Sequence, residues 1–285
     1  MDLYLALNAE IPNKTLYNEF NGIGMIRSEY LCRNINKYIT TSSCQKYIKD
    51  YLNKICRIFK DKEVWYRLTD LTSNEIDVLD GCDYNIIEKF HFIGIKGARR
   101  YLKFIDTFLI EVNIINQIRE KHKNLGIIIP YIKDIQEYKK IKNIIKNAGY
   151  NGKLGIMAEI PSVIFDIDNF IKEGVDNITI GLNDLTSLTL GTYRESEYHD
   201  KTHPVILNIV RNINQKCKEN GIVFSIAGYF SEREIEEYRK LNISRITINY
   251  VNLPYLDKKY DTLENLDMLK KIKEETKRRR KFNNL

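Results

Sequence analysis

Cys-X-X-Cys pairs and long apolar runs are missing from this sequence of 285 residues, and we expect no leader segment. The five cysteines are odd in number and scattered, without Cys-X-X-Cys spacing, so we expect neither a disulfide framework nor a zinc site. No window approaches eighteen consecutive apolar residues, and no basic segment precedes the short apolar run near the amino terminus. We therefore expect a cytoplasmic protein with reduced thiols and no membrane segment.

The net charge and the four histidines bear on the class of ligand that we expect. The net charge of +7 could suggest nucleic acid, but lysine, asparagine and isoleucine are abundant throughout, which is typical of a compositional bias. We interpret the densest basic run, at 277–281, as a solvated helix end. We expect no nucleic-acid partner, and the charge would favour a small anionic substrate. Surface or capping roles are expected for His91, His122, His199 and His203.

Short apolar, β-branched runs recur along the chain. Hydrophobic residues form 43% of the sequence, enough for a sizeable core, and the length fits one large domain. Eight of the runs have the length and composition of buried strands. They lie near residues 3–7, 22–26, 64–68, 126–130, 154–158, 177–181, 222–226 and 245–249.

Amphipathic stretches separate the predicted strands. They lie near residues 44–59, 108–122, 135–148, 161–173, 203–220 and 231–241. Regular alternation of strand and helix predicts an α/β fold, a single closed (β/α)8 TIM barrel over 1–285 with a basic helical tail at 257–285. No repeat or flexible linker interrupts the series. The connection at about 70–125 is longer than a simple crossover needs, so we expect it to elaborate the active-site face.

Polar residues follow the carboxyl ends of the predicted strands, where the sites of such barrels lie. These residues are Arg27, Arg67, Glu159, Asn183, Asp184 and Asn249. Because the carboxyl ends of parallel strands meet at one rim, we expect these side chains to converge. A surface charge just beyond a strand would explain any one of them, but it is a poor explanation for the whole set.

Acidic and amide side chains end the fifth and sixth strands. Glu159 follows the run GIMA, and Asn183 and Asp184 follow ITIGL. Hard oxygen ligands in this setting favour a divalent metal, and we expect Mg²⁺ held by Glu159 and Asp184. Guanidinium groups bind phosphate or carboxylate through paired hydrogen bonds, so Arg27 and Arg67 indicate an anionic substrate. The pattern predicts a small 2-oxo acid or its phosphorylated enol.

Three long segments resemble the motifs of one family, in the same order. Residues 22–31 read GIGMIRSEYL and resemble GIGLLRTEFL, residues 155–161 read GIMAEIP and resemble GIMVEIP, and residues 181–190 read GLNDLTSLTL and resemble GxNDLTQxTL. These motifs are typical of the phosphoenolpyruvate (PEP)-binding barrel of PEP synthase, pyruvate phosphate dikinase and enzyme I of the sugar phosphotransferase system. The resemblance extends from residue 3 to about residue 256.

The resemblance implies a role for each matching residue. Arg27 and Arg67 would bind phosphate. Glu159 and Asp184 would bind Mg²⁺. Asn183 would contact the phosphate or carboxylate of the substrate, and with the two arginines it would form the catalytic set.

Three other positions are compared with the same family. Arg194 would match a further phosphate-binding arginine, whereas Lys96 stands where the motif LGxRGxR has its first arginine and lacks the bidentate fork. Ala227 stands where a family cysteine transfers a proton at the methylene carbon of enolpyruvate. General acid–base catalysis is worth ~10² to 10⁴ in rate, so we expect poor interconversion of pyruvate and PEP unless Ser225, Tyr229 or water substitutes.

We therefore expect a Mg²⁺-dependent phosphotransferase barrel that binds PEP, pyruvate or a related anion. Nothing in the sequence resembles the family's phosphohistidine or ATP-grasp domains, so a separate phosphohistidine carrier protein is the expected partner. Transfer to an oxygen or nitrogen acceptor would need no carbon protonation. A metal-dependent lyase or aldolase acting through a pyruvate-type enolate, and a non-catalytic regulatory PEP-binding protein, remain open hypotheses. The resemblance also implies a homodimer.

Overall fold

Eight parallel strands form a closed barrel in chain order, which confirms the predicted (β/α)8 fold. The computed structural model describes residues 1–12, 16–82, 88 and 93–253. The predicted tail at 257–285 and His91 lie outside the described residues. The strands are Asp2–Leu7 (β1), Gly22–Arg27 (β2), Glu63–Arg67 (β3), Leu125–Ile129 (β4), Leu154–Ala158 (β5), Asn177–Gly181 (β6), Val223–Gly228 (β7) and Arg245–Asn249 (β8).

Strand positions agree with the sequence prediction to within one or two residues. The third and fourth strands each begin one residue earlier than predicted, and β7 covers 223–228 where 222–226 was predicted. Closure is complete because β1 pairs with β8 from Asp2 opposite Arg245 to Ala6 opposite Asn249. All carboxyl ends therefore open on one face.

Helices surround the barrel. They are Leu16–Glu19 (α1), Ser28–Asn34 (α2), Ser42–Ile58 (α3), Ser73–Asp77 (α4), Gly97–Lys103 (α5), Ile105–Lys121 (α6), Ile135–Asn147 (α7), Pro161–Phe165 (α8), Ile167–Lys172 (α9), Leu182–Leu190 (α10), Pro204–Glu219 (α11) and Glu232–Lys240 (α12). The side chain of His203 caps α11 by accepting from the amide of Val205, in line with the predicted capping role. No helix in the described part of the chain combines the length and apolar composition that crossing a bilayer requires.

The amphipathic stretch predicted at 161–173 forms two short helices, α8 and α9. It is interrupted at Asp166, whose ψ of 11° lies outside regular helix geometry. The Asp166 amide donates to the carbonyls of Ser162 and Val163 and so closes α8 as a tight turn. Because α8 and α9 are each short, the chain can change direction directly after the fifth strand.

The long connection between β3 and β4 carries α4, α5 and α6. Its α5 end is fastened to the carboxyl end of β4, because the Ala98 amide donates to the Pro130 carbonyl at 3.0 Å. Gly97 permits this approach with φ of +50°, and a Cβ at Gly97 would lie 2.6 Å from the same carbonyl oxygen. The residue before it, Lys96, is thereby held at the rim of the barrel.

Two separate apolar layers form the core. The larger lies between the strands and the helices, and the smaller fills the barrel interior. The interior layer consists of Ala6, Met25, Trp65, Ile128, Met157 and Ala227. Trp65 is the largest of these side chains, and a Cβ on Gly126 of the neighbouring strand would lie 2.7 Å from its ring. The indole therefore occupies space that glycine leaves empty.

This packing predicts that Gly126→Ala destabilises the fold more than the same substitution at a strand glycine that has space for a methyl group. Overpacking of a closely packed core typically costs about 1–3 kcal/mol. Gly228→Ala is the matched control, because a Cβ there would meet its nearest neighbour, Leu182, at an ordinary 3.6 Å. Urea unfolding should show the larger loss in Gly126→Ala, and equal stabilities of the two variants would contradict this account of the interior.

Candidate functional site

Buried charges are concentrated where the strands end. Arg27 and Arg67 are the last residues of β2 and β3, and Glu159 directly follows β5. Asp184 lies in the first turn of α10, which begins without a break after β6. The closed barrel brings these ends to one face, and ion pairs through Lys96 connect the β3 side to the β6 side.

Glu29, in the first turn of α2, lies between two arginines. Its Oε1 accepts from Nη2 of Arg67 and, at 3.1 Å, from Nε of Arg27. The Arg67 side chain is 8% exposed and that of Arg27 is 31% exposed. Burial acts to raise the pKa of Glu29, but Arg67 and Arg27 outweigh burial and lower the pKa to about 2. Glu29 is therefore ionised at neutral pH and fixes the Arg67 guanidinium.

A chain of alternating charges continues from Arg67 across the rim. Nη1 of Arg67 lies 3.9 Å from Oδ2 of Asp70, and Nζ of Lys96 lies 3.6 Å from that same oxygen. The same ammonium lies 3.8 Å from Oδ2 of Asp184. The other oxygen of Asp184 accepts from Nη2 of Arg194 at 2.6 Å. Each carboxylate in this chain thus has a cation on both sides.

Glu159 is buried beside this chain. Its Oε1 accepts from the amide of Tyr131 at 2.8 Å. Burial and the negative charges of Asp184 and Asp70 raise the pKa of Glu159, and Lys96 and Arg67 only partly oppose them. For Asp184, burial acts to raise the pKa, but Lys96 and Arg194 outweigh it and lower the pKa. Of these two carboxyl groups, Glu159 is therefore the one whose ionised form is disfavoured.

Tyr131 connects Glu159 with Lys96. It has φ of 52°, a left-handed conformation that is uncommon for a bulky residue, directly after Pro130. Its amide donates to Glu159, and its ring lies against Lys96, with Nζ 4.1 Å from the ring centroid. The backbone turn at the end of β4 thus sets the positions of one acid and one cation.

The acids at this rim fit a divalent cation that shares its ligands with substrate and solvent. Mg²⁺ is commonly bound by one or two carboxylates, the other ligands being water and substrate oxygens. Within residues 1–12, 16–82, 88 and 93–253, no three His, Cys, Asp or Glu side chains converge as a ready metal site. The acids nearby offer oxygen donors, burial and two neighbouring acids raise the pKa of Glu159, and Asp70 Oδ1 is buried without a hydrogen-bond partner among the described residues. Glu159 and Asp184 would therefore hold the ion jointly with a ligand.

Ala227 lies inside the barrel, near the end of β7. It pairs in register with Gly181 at the end of β6 and belongs to the interior apolar layer. The Ser225 hydroxyl is 2.9 Å from that of Thr247, so it is already hydrogen-bonded within the interior. Tyr229 is half-exposed beyond the strand end. Neither residue offers an evident replacement for a group at position 227.

Two further predicted rim residues are Asn183 and Asn249. Asn183 lies in the first turn of α10, and its Oδ1 would be 3.8 Å from a Cβ built on Gly228. Asn249 ends β8 opposite Ala6 of β1. Both residues lie at carboxyl ends, as predicted.

Sequence reasoning overlooked Glu29, Asp70 and Tyr131. Glu29 stands within the segment 22–31 that had been singled out, and Asp70 follows the end of β3 by three residues. A search for acids just beyond each strand would have found Asp70. For Tyr131 the sequence offers no such signal, because its role depends on a backbone conformation and on the approach of α5.

Comparison with protein families identifies one match over most of the chain. The family model described as "PEP-utilising enzyme, PEP-binding domain" matches residues 3–255. A probable phosphoenolpyruvate synthase of Methanocaldococcus jannaschii is 28% identical over 258 residues, 84% of this chain and 22% of that protein. A probable phosphoenolpyruvate synthase of Archaeoglobus fulgidus is 30% identical over 241 residues, 78% of this chain and 32% of that protein. The chain thus spans between a fifth and a third of the length of these relatives.

Solved structures share the fold at low sequence identity. The magnesium/glyoxylate complex of Haloferax volcanii malate synthase has a TM-score of 0.52 and 12% identity, covering 86% of this chain and 70% of that chain. RipC from Yersinia pestis has a TM-score of 0.50 and 8% identity, covering 87% of this chain and 89% of that chain. At these identities the likeness extends to the fold alone.

The two ion pairs of Glu29 predict different losses of stability when Arg67 or Arg27 is replaced. Arg67→Met leaves a buried carboxylate with one half-exposed partner, and breaking such a pair typically costs about 3–5 kcal/mol. Arg27→Met removes the more exposed partner and leaves the buried carboxylate paired with Arg67, so a smaller loss is expected. Urea unfolding at pH 7 measures both losses, and similar losses would contradict the assignment of Arg67 as the main partner of Glu29.

The ion pair between Arg67 and Glu29 also predicts that the stability of the protein depends on pH. The pKa of Glu29 is lowered from 4.5 to about 2 on folding, so its stabilisation is complete above pH 4.5 and is lost as the pH falls towards 2. The difference in stability between the wild type and Arg67→Met should therefore narrow below pH 4.5. A difference that stays constant down to pH 2 would show that the loss does not come from the Glu29 charge.

Proposed function

Because the chain belongs to the PEP-utilising enzymes, as their PEP-binding domain, we propose that it binds PEP or pyruvate with Mg²⁺ and takes part in phosphoryl transfer. The observation that carries this proposal is the alternation of Arg67, Lys96 and Arg194 with two acids at the carboxyl face of the barrel. Cations suit the phosphate and carboxylate of such a substrate, and the acids suit the metal.

Arg67 is the residue best placed to bind the anionic groups of the substrate. It is buried and fixed by Glu29, and its Nε has no hydrogen-bond partner among the described residues. A buried donor without a partner favours an incoming oxygen acceptor. Arg27 and Arg194 are more exposed and would complete the phosphate site from either side, while Asn183 would donate its amide to the substrate.

Glu159 and Asp184 would hold the metal. Mg²⁺, when bound, would stabilise negative charge that develops on substrate oxygens. Tyr131 keeps the Glu159 carboxylate oriented through its amide, and Arg194 holds one Asp184 oxygen. The protein contribution is thus to position two carboxylates whose mutual repulsion disfavours the metal-free state.

Phosphoryl transfer also needs a phosphohistidine, which we place outside residues 1–285. It would belong to a separate carrier protein or to another part of a longer chain. In transfer from PEP, the enol oxygen–phosphorus bond breaks as the histidine nitrogen–phosphorus bond forms, leaving an enolate that needs a proton at carbon. The homodimer, the cytoplasmic location and the carrier itself stay predictions.

Ala227 limits the proton-transfer part of the reaction. Its methyl group lies in the apolar interior and transfers no proton. We propose that the protein still binds its substrate and exchanges phosphoryl groups, while protonation of the enolate carbon is slow. Transfer to an oxygen or nitrogen nucleophile would not need this slow step. Alanine at position 227 also favours a second candidate function, that of a non-catalytic protein that senses PEP. A lyase or aldolase is less favoured, because three arginines exceed what one carboxylate requires.

Calorimetric titration with PEP tests the binding proposal. We expect binding that depends on Mg²⁺ in the wild type and at least about tenfold weaker binding in Glu159→Gln and Asp184→Asn, because each removes a metal ligand. Glu63→Gln is the matched control, since this acid starts β3 at the opposite end of the barrel, paired with Lys153 and Arg245. Equal affinity with and without Mg²⁺ would contradict the metal assignment, and no binding would contradict the proposal.

Restoring the missing thiol tests the role of position 227. Ala227→Cys should accelerate exchange of the pyruvate methyl protons with D₂O by ~10² or more, the lower range of general acid–base catalysis. Proton NMR follows the exchange directly. Ala6→Cys places a thiol in the same interior layer on another strand and should give no acceleration. If both variants remain as slow as the wild type, position 227 is not where the proton is transferred.

A further inference from the structure

Lys96 is held at the rim by several independent contacts. Gly97 brings the backbone against the end of β4, and the hydrogen bond from Ala98 to Pro130 fixes it there. The Lys96 side chain is 9% exposed and its ammonium lies against the Tyr131 ring. Such a position differs from that of a surface lysine, which swings freely in solvent. The Lys96 ammonium therefore has a fixed position in the site.

The ammonium lies between two acids without closing on either. Its distances to Asp70 and Asp184 are 3.6 and 3.8 Å, both longer than a charged hydrogen bond of about 2.7–2.9 Å. Burial alone would lower the pKa of Lys96, but Asp70, Asp184 and Glu159 outweigh burial and raise it. The positive charge is therefore present at neutral pH, close to one of the proposed metal ligands.

We propose that Lys96 is a resident counter-ion that competes with the divalent cation for Asp184 until the substrate engages the ammonium. A metal ion binding at Asp184 and Glu159 must approach a fixed positive charge, which lowers its affinity. An anionic substrate that binds the Lys96 ammonium would neutralise that charge. Metal and substrate would then each strengthen the binding of the other, since such coupling is reciprocal.

Asp70 supports this arrangement from the other side. It is bound by Arg67 and Lys96 and has one buried oxygen, Oδ1, without a partner among the described residues. It therefore gives the ammonium an alternative carboxylate when Asp184 is taken up by the metal. Asp70 is therefore a positioning residue for Lys96. A short movement of the Lys96 side chain would carry its ammonium from Asp184 towards Asp70.

Mn²⁺ binding measured by electron paramagnetic resonance at pH 8, with and without PEP, tests this inference. In Lys96→Gln, Mn²⁺ alone should bind at least about tenfold more tightly than in the wild type, because a unit charge about 4 Å from the ligand is removed. PEP should increase Mn²⁺ affinity in the wild type by about 5- to 150-fold, the usual range of such coupling, and by little in Lys96→Gln. Binding of PEP itself should weaken in that variant.

Two control variants separate charge from structure. Lys96→Arg keeps the charge and should keep weak metal binding and strong coupling. Lys133→Gln removes a half-exposed lysine paired with Asp134 and should behave as wild type. If Lys96→Gln does not fold, Lys96→Met removes the same charge while keeping an unbranched side chain beside the Tyr131 ring, and it carries the same expectation for Mn²⁺.

In this inference, only the coupling between metal and substrate rests on the proposed function. The outcomes therefore test the counter-ion role of Lys96 and the proposed function separately. Unchanged or weaker Mn²⁺ binding in Lys96→Gln, with Mg²⁺-dependent PEP binding intact in the wild type, overturns the counter-ion role alone. Tighter Mn²⁺ binding in a protein that never binds PEP supports the counter-ion role and overturns the proposed function. Absence of Mn²⁺ binding in every variant overturns both.

Discussion

Charge balance in a poorly solvated space is the constraint on which the rim of this barrel depends. Ionised acids are unfavourable there unless cations lie beside them, because burial removes the water that would stabilise them. Glu29 is balanced by Arg67 and Arg27, and Asp184 by Lys96 and Arg194. Glu159 has no ion-pair partner at comparable distance among the described residues. Burial and the neighbouring acids accordingly raise the pKa of Glu159.

The barrel interior determines how deep that site can be. Met25, Trp65, Ile128 and Met157 close the barrel below the strand ends with apolar side chains, and Ala227 completes the same layer. Polar chemistry is therefore confined to the carboxyl face and to the loops that follow the strands, as is usual for this fold. The side chain at position 227 belongs to this closing layer yet lies at the level of the β6 end, opposite Gly181.

Much of the architecture could be predicted from local sequence. Runs such as 125–129 and 154–158 are fully buried, so their continuous apolar character marks them as strands of a parallel barrel. Arg67 and Glu159 could be placed at the rim by counting strands. The amphipathic stretch predicted at 161–173 forms two helices that meet at Asp166. Periodicity reports which face is buried and says little about where a helix turns.

The sequence by itself determined the fold class, the positions of the strands and the placing of Arg27, Arg67, Glu159 and Asp184 at strand ends, because strand length and apolar composition are local properties. Only the tertiary structure decided which charges face one another. Lys96 reaches Asp184 because Gly97 lets α5 approach β4, and Tyr131 orients Glu159 through a left-handed backbone turn. Those pairings depend on close approach between segments far apart in the chain, and the strength of a charge interaction depends on that distance and on burial.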